Sequence, residues 1–226
     1  MTTEQQAFDE LASASENGAA LSLSGGGYRA MVFHIGALWR LNEVGLLGKL
    51  KRISSVSGGS ITAGVLALCW RDLKFEAGVA KGFDVVVSKV RQMSETTVDV
   101  GAVIGGILFP GTISERVAEA YDDVLYKGAT LRNLPDDSGD EVPRFVFNAT
   151  NVQTSVLWRF SRPYMGDYRV GLVRDPDIPL CKAVAASSAF PPILSPPVIR
   201  CSRSTPGKRF GDCGLLGSVR REMRGK

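Results

Sequence analysis

One histidine stands in the 226 residues, His34. A Ser-His-Asp triad needs a histidine oriented by an acid. His34 instead shares its helix-like stretch with Met31, Ile35 and Leu38, where a buried structural imidazole is the first expectation. The base for any serine chemistry is therefore sought among carboxylates. The four cysteines, Cys69, Cys181, Cys201 and Cys213, include no Cys-x-x-Cys pair. Zinc ligation needs such close pairs and more than one histidine, so free thiols are expected and neither a metal nor another cofactor. Long hydrophobic runs are missing too. The longest weakly charged one, residues 98–111, carries Asp99 and is closed by Pro110, too short to span a bilayer. A core or lid segment is its first reading and a membrane-contacting one its second. The start, Met1-Thr-Thr-Glu-Gln-Gln, lacks the basic-then-apolar order of a signal peptide, so the expected location is cytoplasmic, with peripheral membrane contact as the further option. Strong charge is absent as well: the net value is +4, and no Lys/Arg stripe with interleaved aromatics argues for a nucleic-acid partner. The basic tail Arg220 to Lys226 reads as a solvated terminus.

What is present is an ordinary globular composition, 44% hydrophobic and 22% charged, which excludes a disordered chain. Repeats, linkers and low-complexity tracts are not found, so one domain is expected over 1–226. Its core covers about 21–214, with an N-terminal extension at 1–18 and an atypical tail at 215–226. Leu21 to Ser24 is β-like and ends in three glycines. Tyr28 to Leu47 then repeats apolar residues at helical spacing, with Gly45 as the stop. Ile53 to Val56 is again β-like, and a Gly-Gly step leads into a helical stretch from Ser60 to Leu73. Further on, Thr112 to Glu115 has the spacing of a capping box opening a helix through Leu125. Pro143 to Thr150 and Val156 to Phe160 read as neighbouring strands, and Leu180 to Ala189 as a small-residue helix. Strand, glycine turn and helix, repeated twice, predict an α/β layered fold with a mainly parallel sheet.

The two glycine-rich turns are the candidate site. A nucleophile elbow sets a serine on a tight turn between strand and helix, with small flanking residues and the helix N-terminus behind it. In Ser55-Val-Ser-Gly-Gly59 the residue with those flanks is Ser57; Ser54 and Ser55 fall in the strand, and Ser60 in the first helical turn, where capping is its default. A serine in such a turn is also often only a turn residue. The first turn, Ser24-Gly-Gly-Gly-Tyr-Arg29, lets several N–H groups converge, as an oxyanion hole requires. Two phosphate-binding readings compete with it. The dinucleotide fingerprint would need an acid ending the next strand, and Arg52 to Val56 supplies none. A P-loop would need Gly-Lys-Ser/Thr after a four-residue gap, which is absent. A nucleotide-binding α/β module stays as the weaker alternative. For the base, Asp212 in Gly211-Asp-Cys-Gly214 is a lone acid in a late glycine turn, a place where a purely turn-forming aspartate is as common.

With these residues in hand, the chain resembles the patatin-like phospholipase family. The resemblance is carried by Ser24 to Gly36, Ser55 to Gly59, Phe147 to Asn151, Ala185 to Pro192 and Gly211 to Gly214, spread over nearly the whole chain. It implies a three-layer α/β/α fold related to the lysophospholipase folds. It also implies serine lipid acyl hydrolysis by a Ser-Asp dyad, with a phospholipid or other fatty acyl ester as substrate. Carried over by position, Ser57 is the nucleophile and Asp212 takes its proton. Gly25, Gly26, Gly27 and the Arg29 amide line the oxyanion hole, and Gly58 and Gly59 support the elbow. Ser24, Ala30 and Ser55 depart from the family's usual residues without removing a reacting group. Cys213 interrupts the aspartate turn, and residues 215–226 do not follow the pattern. A chain shortened there would leave a catalytically weak or inactive lipid-binding protein, the second expectation.

Overall fold

The computed structural model of the chain describes residues 18–95, 113–139 and 141–189. The run at 98–111, the start of the expected capping box at Thr112, the Pro191-Pro192 stop and Asp212 lie outside them.

The chain enters through β1 (Ala19–Leu23), turns at its glycines into α1 (Gly27–Glu43), and returns through β2 (Leu50–Ser55) into α2 (Gly58–Cys69). The order is the one the sequence predicts. Helix α1 stops as a Schellman motif: Leu46 N–H reaches Leu41 O at 2.9 Å and Gly45 N–H reaches Asn42 O at 3.0 Å. Gly45 sits at φ 70 there, a left-handed value that glycine adopts without steric cost. Helix α2 is buried along almost its entire circumference, from Gly58 to Ala67, which makes it the central helix rather than an amphipathic one. It packs on α1, on α3 (Asp84–Glu95) and on α5 (Leu180–Ser188). Its buried polar groups are satisfied across those contacts: Thr62 Oγ1 donates to Met31 O at 3.0 Å.

The main sheet has six strands in the order β1, β2, β5 (Arg144–Asn151), β6 (Val156–Phe160), β7 (Tyr164–Asp167) and β8 (Gly171–Arg174). It is mixed. The β1–β2 and β2–β5 pairs are parallel, with Leu23 opposite Ser55 and Ser55 opposite Phe147. Beyond β5 the pairs are antiparallel. The parallel part is thus the half that carries the glycine turns, and the rest is an antiparallel meander. Strand β5 is buried along Phe145 to Ala149, as a central strand covered on both faces must be. At the far end Asp167 is fully buried but satisfied, accepting from Asn151 Nδ2, Thr154 Oγ1 and the amides of Arg169 and Val170.

A two-stranded hairpin, β3 (Lys74–Glu76) and β4 (Val79–Lys81), follows α2. The Asn42 amide grips it, donating to Ala80 O at 3.0 Å and accepting from Ala80 N at 2.6 Å. Helix α4 (Ile113–Tyr121) continues into a π-helical turn, Asp122–Tyr126. That turn delivers Tyr126 against Gly64 of α2, where a Cβ would lie 2.7 Å from the phenol oxygen. The Tyr126 hydroxyl donates to Ile61 O at 3.2 Å. Among the described residues no helix is long and apolar enough to cross a membrane.

Candidate active site

Parallel pairing of β1 and β2 brings their C-terminal ends side by side, and with them the N-termini of α1 and α2. Val56 N–H bonds Leu23 O at 3.0 Å, and Gly59 N–H bonds Ser24 O at 3.2 Å. Crevices at the carboxyl ends of parallel strands are the usual ligand sites of α/β sheets. The two glycine turns touch here through their backbones. A Cβ on Gly58 would fall 2.1 Å from Gly27 O, and one on Gly59 would fall 2.6 Å from Leu23 O. Only glycine permits that approach.

Ser57 heads α2 at φ 52, ψ −122. These are the angles of the first central residue of a type II′ turn, which favours glycine. A serine held there carries about 1–3 kcal/mol of strain, of the kind that concentrates at functional sites. Its side chain does not cap the helix, so the hydroxyl is free of the usual structural duty of a serine in that position. The first turn faces it closely: a Cβ on Gly25 would lie 3.3 Å from Ser57 Cβ and 3.9 Å from its Oγ. Gly26, at φ 136, starts α1 with no side-chain cap. The first N–H groups of that helix have no intrahelical acceptor, and they carry the positive end of the helix dipole. The arrangement holds a half-buried hydroxyl beside backbone donors that have no intrahelical acceptor.

His34 is buried and lies elsewhere. Its Nε2 donates to Ser24 O at 2.9 Å, with Ser24 Oγ at 3.4 Å. It therefore anchors the residue before the glycines, in keeping with the structural reading. Arg29 is in the exposed first turn of α1.

Beneath the elbow is a network in which the sequence reading assigned no role to Ser187 or Asn148. The Ser57 amide donates to Ser187 Oγ of α5 at 2.9 Å. The Ser187 hydroxyl donates in turn to Asn148 O at 2.7 Å and lies 2.8 Å from Ser60 Oγ. Ser60 also reaches Ser55 Oγ at 3.0 Å, and Ser55 donates to Val146 O at 3.3 Å. Ser60 thus serves this ladder and not the helix cap expected of it. The Asn148 amide donates to Ser54 Oγ at 2.8 Å and Ser55 O at 3.1 Å, pinning the end of β2. Asn148 and Ser187 lie in two stretches that carried the family resemblance, Phe147 to Asn151 and Ala185 to Pro192, and that was the available signal.

Phenols and a thiol cluster behind the site. Burial raises Tyr28, Tyr121 and Tyr126 above the ordinary phenol value. Burial, then the Asp122 carboxylate, pushes the Cys181 thiol up to about 11. Among the described residues no group of His, Cys, Asp and Glu could hold a metal ion.

Fold and site together define a layered α/β protein with a strained strand-turn-helix serine set against a glycine-rich helix start. The patatin-like phospholipase model matches residues 21–219, and the chain belongs to that family. No curated protein sequence matches it. Among solved structures it is similar to human GIVD cytosolic phospholipase A2 in complex with methyl γ-linolenyl fluorophosphonate. That likeness has a TM-score of 0.55 at 17% identity, covering 83% of this chain and 34% of that one. Human GIVD cytosolic phospholipase A2 appears again with a TM-score of 0.50 at 17% identity, covering 83% and 32%. VipD from Legionella pneumophila follows at 0.40 and 16%, covering 92% and 49%. The chain spans about a third of the length of the phospholipase A2 chains it matches. At these identities the likeness is one of fold.

Proposed function

We propose that the chain is a serine lipid acyl hydrolase that cleaves fatty acyl esters, phospholipids among them, with Ser57 as nucleophile and Asp212 as its base. One observation carries the reading: Ser57 is held at φ 52, ψ −122 at the head of a buried helix, its hydroxyl unused as a cap and the Gly25 backbone against it. Ser57 Oγ attacks the ester carbonyl carbon while its proton passes to the Asp212 carboxylate. Charge then develops on the carbonyl oxygen, where Gly25, Gly26, Gly27 and the Arg29 amide supply donors; one such donor is commonly worth about 3 kcal/mol of barrier. The alcohol leaves with the proton from Asp212. Water, deprotonated by the same carboxylate, attacks the acyl-enzyme, and the bond to Ser57 Oγ breaks as that oxygen takes the proton back from Asp212, freeing the fatty acid. Gly58 and Gly59 let the elbow close on the first turn. The family supports this assignment, and the lone histidine, committed to Ser24, favours an acid as base.

A fluorophosphonate probe should label the wild-type chain and leave Ser57→Ala unlabelled. Asp212→Asn should remove at least about 99% of turnover on a short-chain p-nitrophenyl ester, the scale on which a positioned general base acts. Persistent labelling of Ser57→Ala would falsify the nucleophile. Vesicle binding by a wild-type chain that turns over no ester would favour the non-catalytic lipid-binding alternative.

A further inference from the structure

We infer that Ser187 is a positioning residue for the Ser57 turn, its hydroxyl taking the Ser57 amide and so fixing the backbone angles that aim Ser57 Oγ. The inference rests on the reading of Ser57 as nucleophile.

A serine hydroxyl offers one proton and two lone pairs. Ser187 uses them all. Its proton goes to Asn148 O at 2.7 Å, and its lone pairs face the Ser57 amide at 2.9 Å and the Ser60 hydroxyl at 2.8 Å. Across the ladder three hydroxyl protons serve four contacts: Ser55 donates to Val146 O and Ser187 to Asn148 O, which leaves the one Ser60 proton to be shared between Ser55 Oγ and Ser187 Oγ. The oxygen is 8% exposed as part of its residue, so water does not readily replace it. Through one atom, α5 is tied to β5, to the elbow and to α2, across separations of 39, 130 and 127 residues.

The Ser57 amide is the group whose direction changes if the turn relaxes. With φ at 52 the N–H points at Ser187. A relaxed turn with negative φ would rotate that N–H away from its acceptor and carry the side chain with it. The hydrogen bond therefore favours the strained state over the relaxed one at the position where strain sets the aim of the hydroxyl. A second consequence concerns the oxyanion. The Ser57 amide is committed to Ser187, so the donors for a developing negative charge are those of the glycine turn before α1 and of its first residues, not the Ser57 amide.

The test compares wild type, Ser57→Ala, Ser187→Ala, Ser187→Cys and Ser187→Thr. It measures kcat and KM on a short-chain p-nitrophenyl ester, the thermal midpoint, and hydrogen exchange at the Ser57 amide. Ser187→Ala should lower kcat by about 10- to 100-fold, the scale of a small misplacement of a reacting group, with KM within about threefold. Exchange at the Ser57 amide should quicken. Ser187→Thr, which keeps the hydroxyl, should recover most of kcat and slow the exchange again. If Ser187→Ala does not fold, Ser187→Cys takes its place, because sulfur is a weak acceptor. Normal kcat in the variant lacking the acceptor overturns the inference. So does a loss shared by KM and the thermal midpoint that Ser187→Thr fails to reverse, which marks plain packing. A wild type whose turnover is unaffected by Ser57→Ala overturns the nucleophile assignment, and it is recognised before any Ser187 variant is read.

Discussion

At the scale of single residues, the contact between Gly58 and Gly27 decides whether the two turns stay together. A methyl on Gly58 would lie 2.1 Å from Gly27 O. That atom is backbone, so relief requires the turns to move apart. Gly58→Ala is expected to cost about 1–3 kcal/mol of stability through overpacking. It should also slow fluorophosphonate labelling at least about 100-fold, because the donors shift relative to Ser57; labelling at the wild-type rate would show that the turns need not touch. Gly58 and Ser57 were legible in the sequence because an elbow is a local device, written in consecutive residues. Ser187 and Asn148 were not. Their function lies in bonds to residues 130 and 93 positions away, and neither a serine in a small-residue helix nor an asparagine in a strand announces its partner. Asp212 was read from its glycine turn and from the family resemblance, and its distance to Ser57 lies outside the described residues.

Helix α1 is the element on which the first turn depends, and its glycines have opposite effects. Gly36 is exposed in the middle of the helix, with nothing within 4 Å of a Cβ built on it. Gly36→Ala should therefore stabilise by about 0.5–1 kcal/mol. Gly45 terminates the helix at φ 70, with a Cβ 3.0 Å from Ala77 O. Gly45→Ala should cost about 1–2 kcal/mol, read as roughly 2–4 °C of thermal midpoint per kcal/mol. Opposite signs are the point of the pair, and a fall for both would mean that α1 is not limited by its own backbone. Elements of this kind were the readable ones: α1 has helical periodicity and a glycine stop, α2 follows a Gly-Gly step, and β5 and β6 are β-like stretches. The β3–β4 hairpin and β7–β8 were missed, since each strand is only three or four residues long. Strands so short hold too little alternation to count. Helix α3 was missed for another reason. Its buried Val86, Val87, Val90 and Met93 follow helical spacing, but β-branched residues bias a local reading toward strand.

At the scale of the molecule, the ionisable groups buried behind the elbow make folding sensitive to alkaline pH. Tyr28 belongs to α1, Tyr121 to α4, Tyr126 to the π-helical turn and Cys181 to α5, so the cluster is assembled only when four separate pieces pack. Burial raises all four above their ordinary values, and for Cys181 the Asp122 carboxylate adds to the effect. A raised acid keeps its proton in the folded state after the unfolded chain has lost it. Stability from these groups is therefore complete below the ordinary thiol value of 9.0 and falls as pH rises, for Cys181 across the window from 9.0 to about 11. The phenols extend the loss above their ordinary value of 10.0. The thermal midpoint should be level from about pH 7 to 8.5 and decline beyond, because stability is lost wherever the unfolded state binds fewer protons. Cys181→Ala, which removes one of the four, should show a shallower decline between pH 9 and 11, whatever its midpoint at neutral pH. An equal slope in the variant and the wild type would place the alkaline sensitivity outside this cluster.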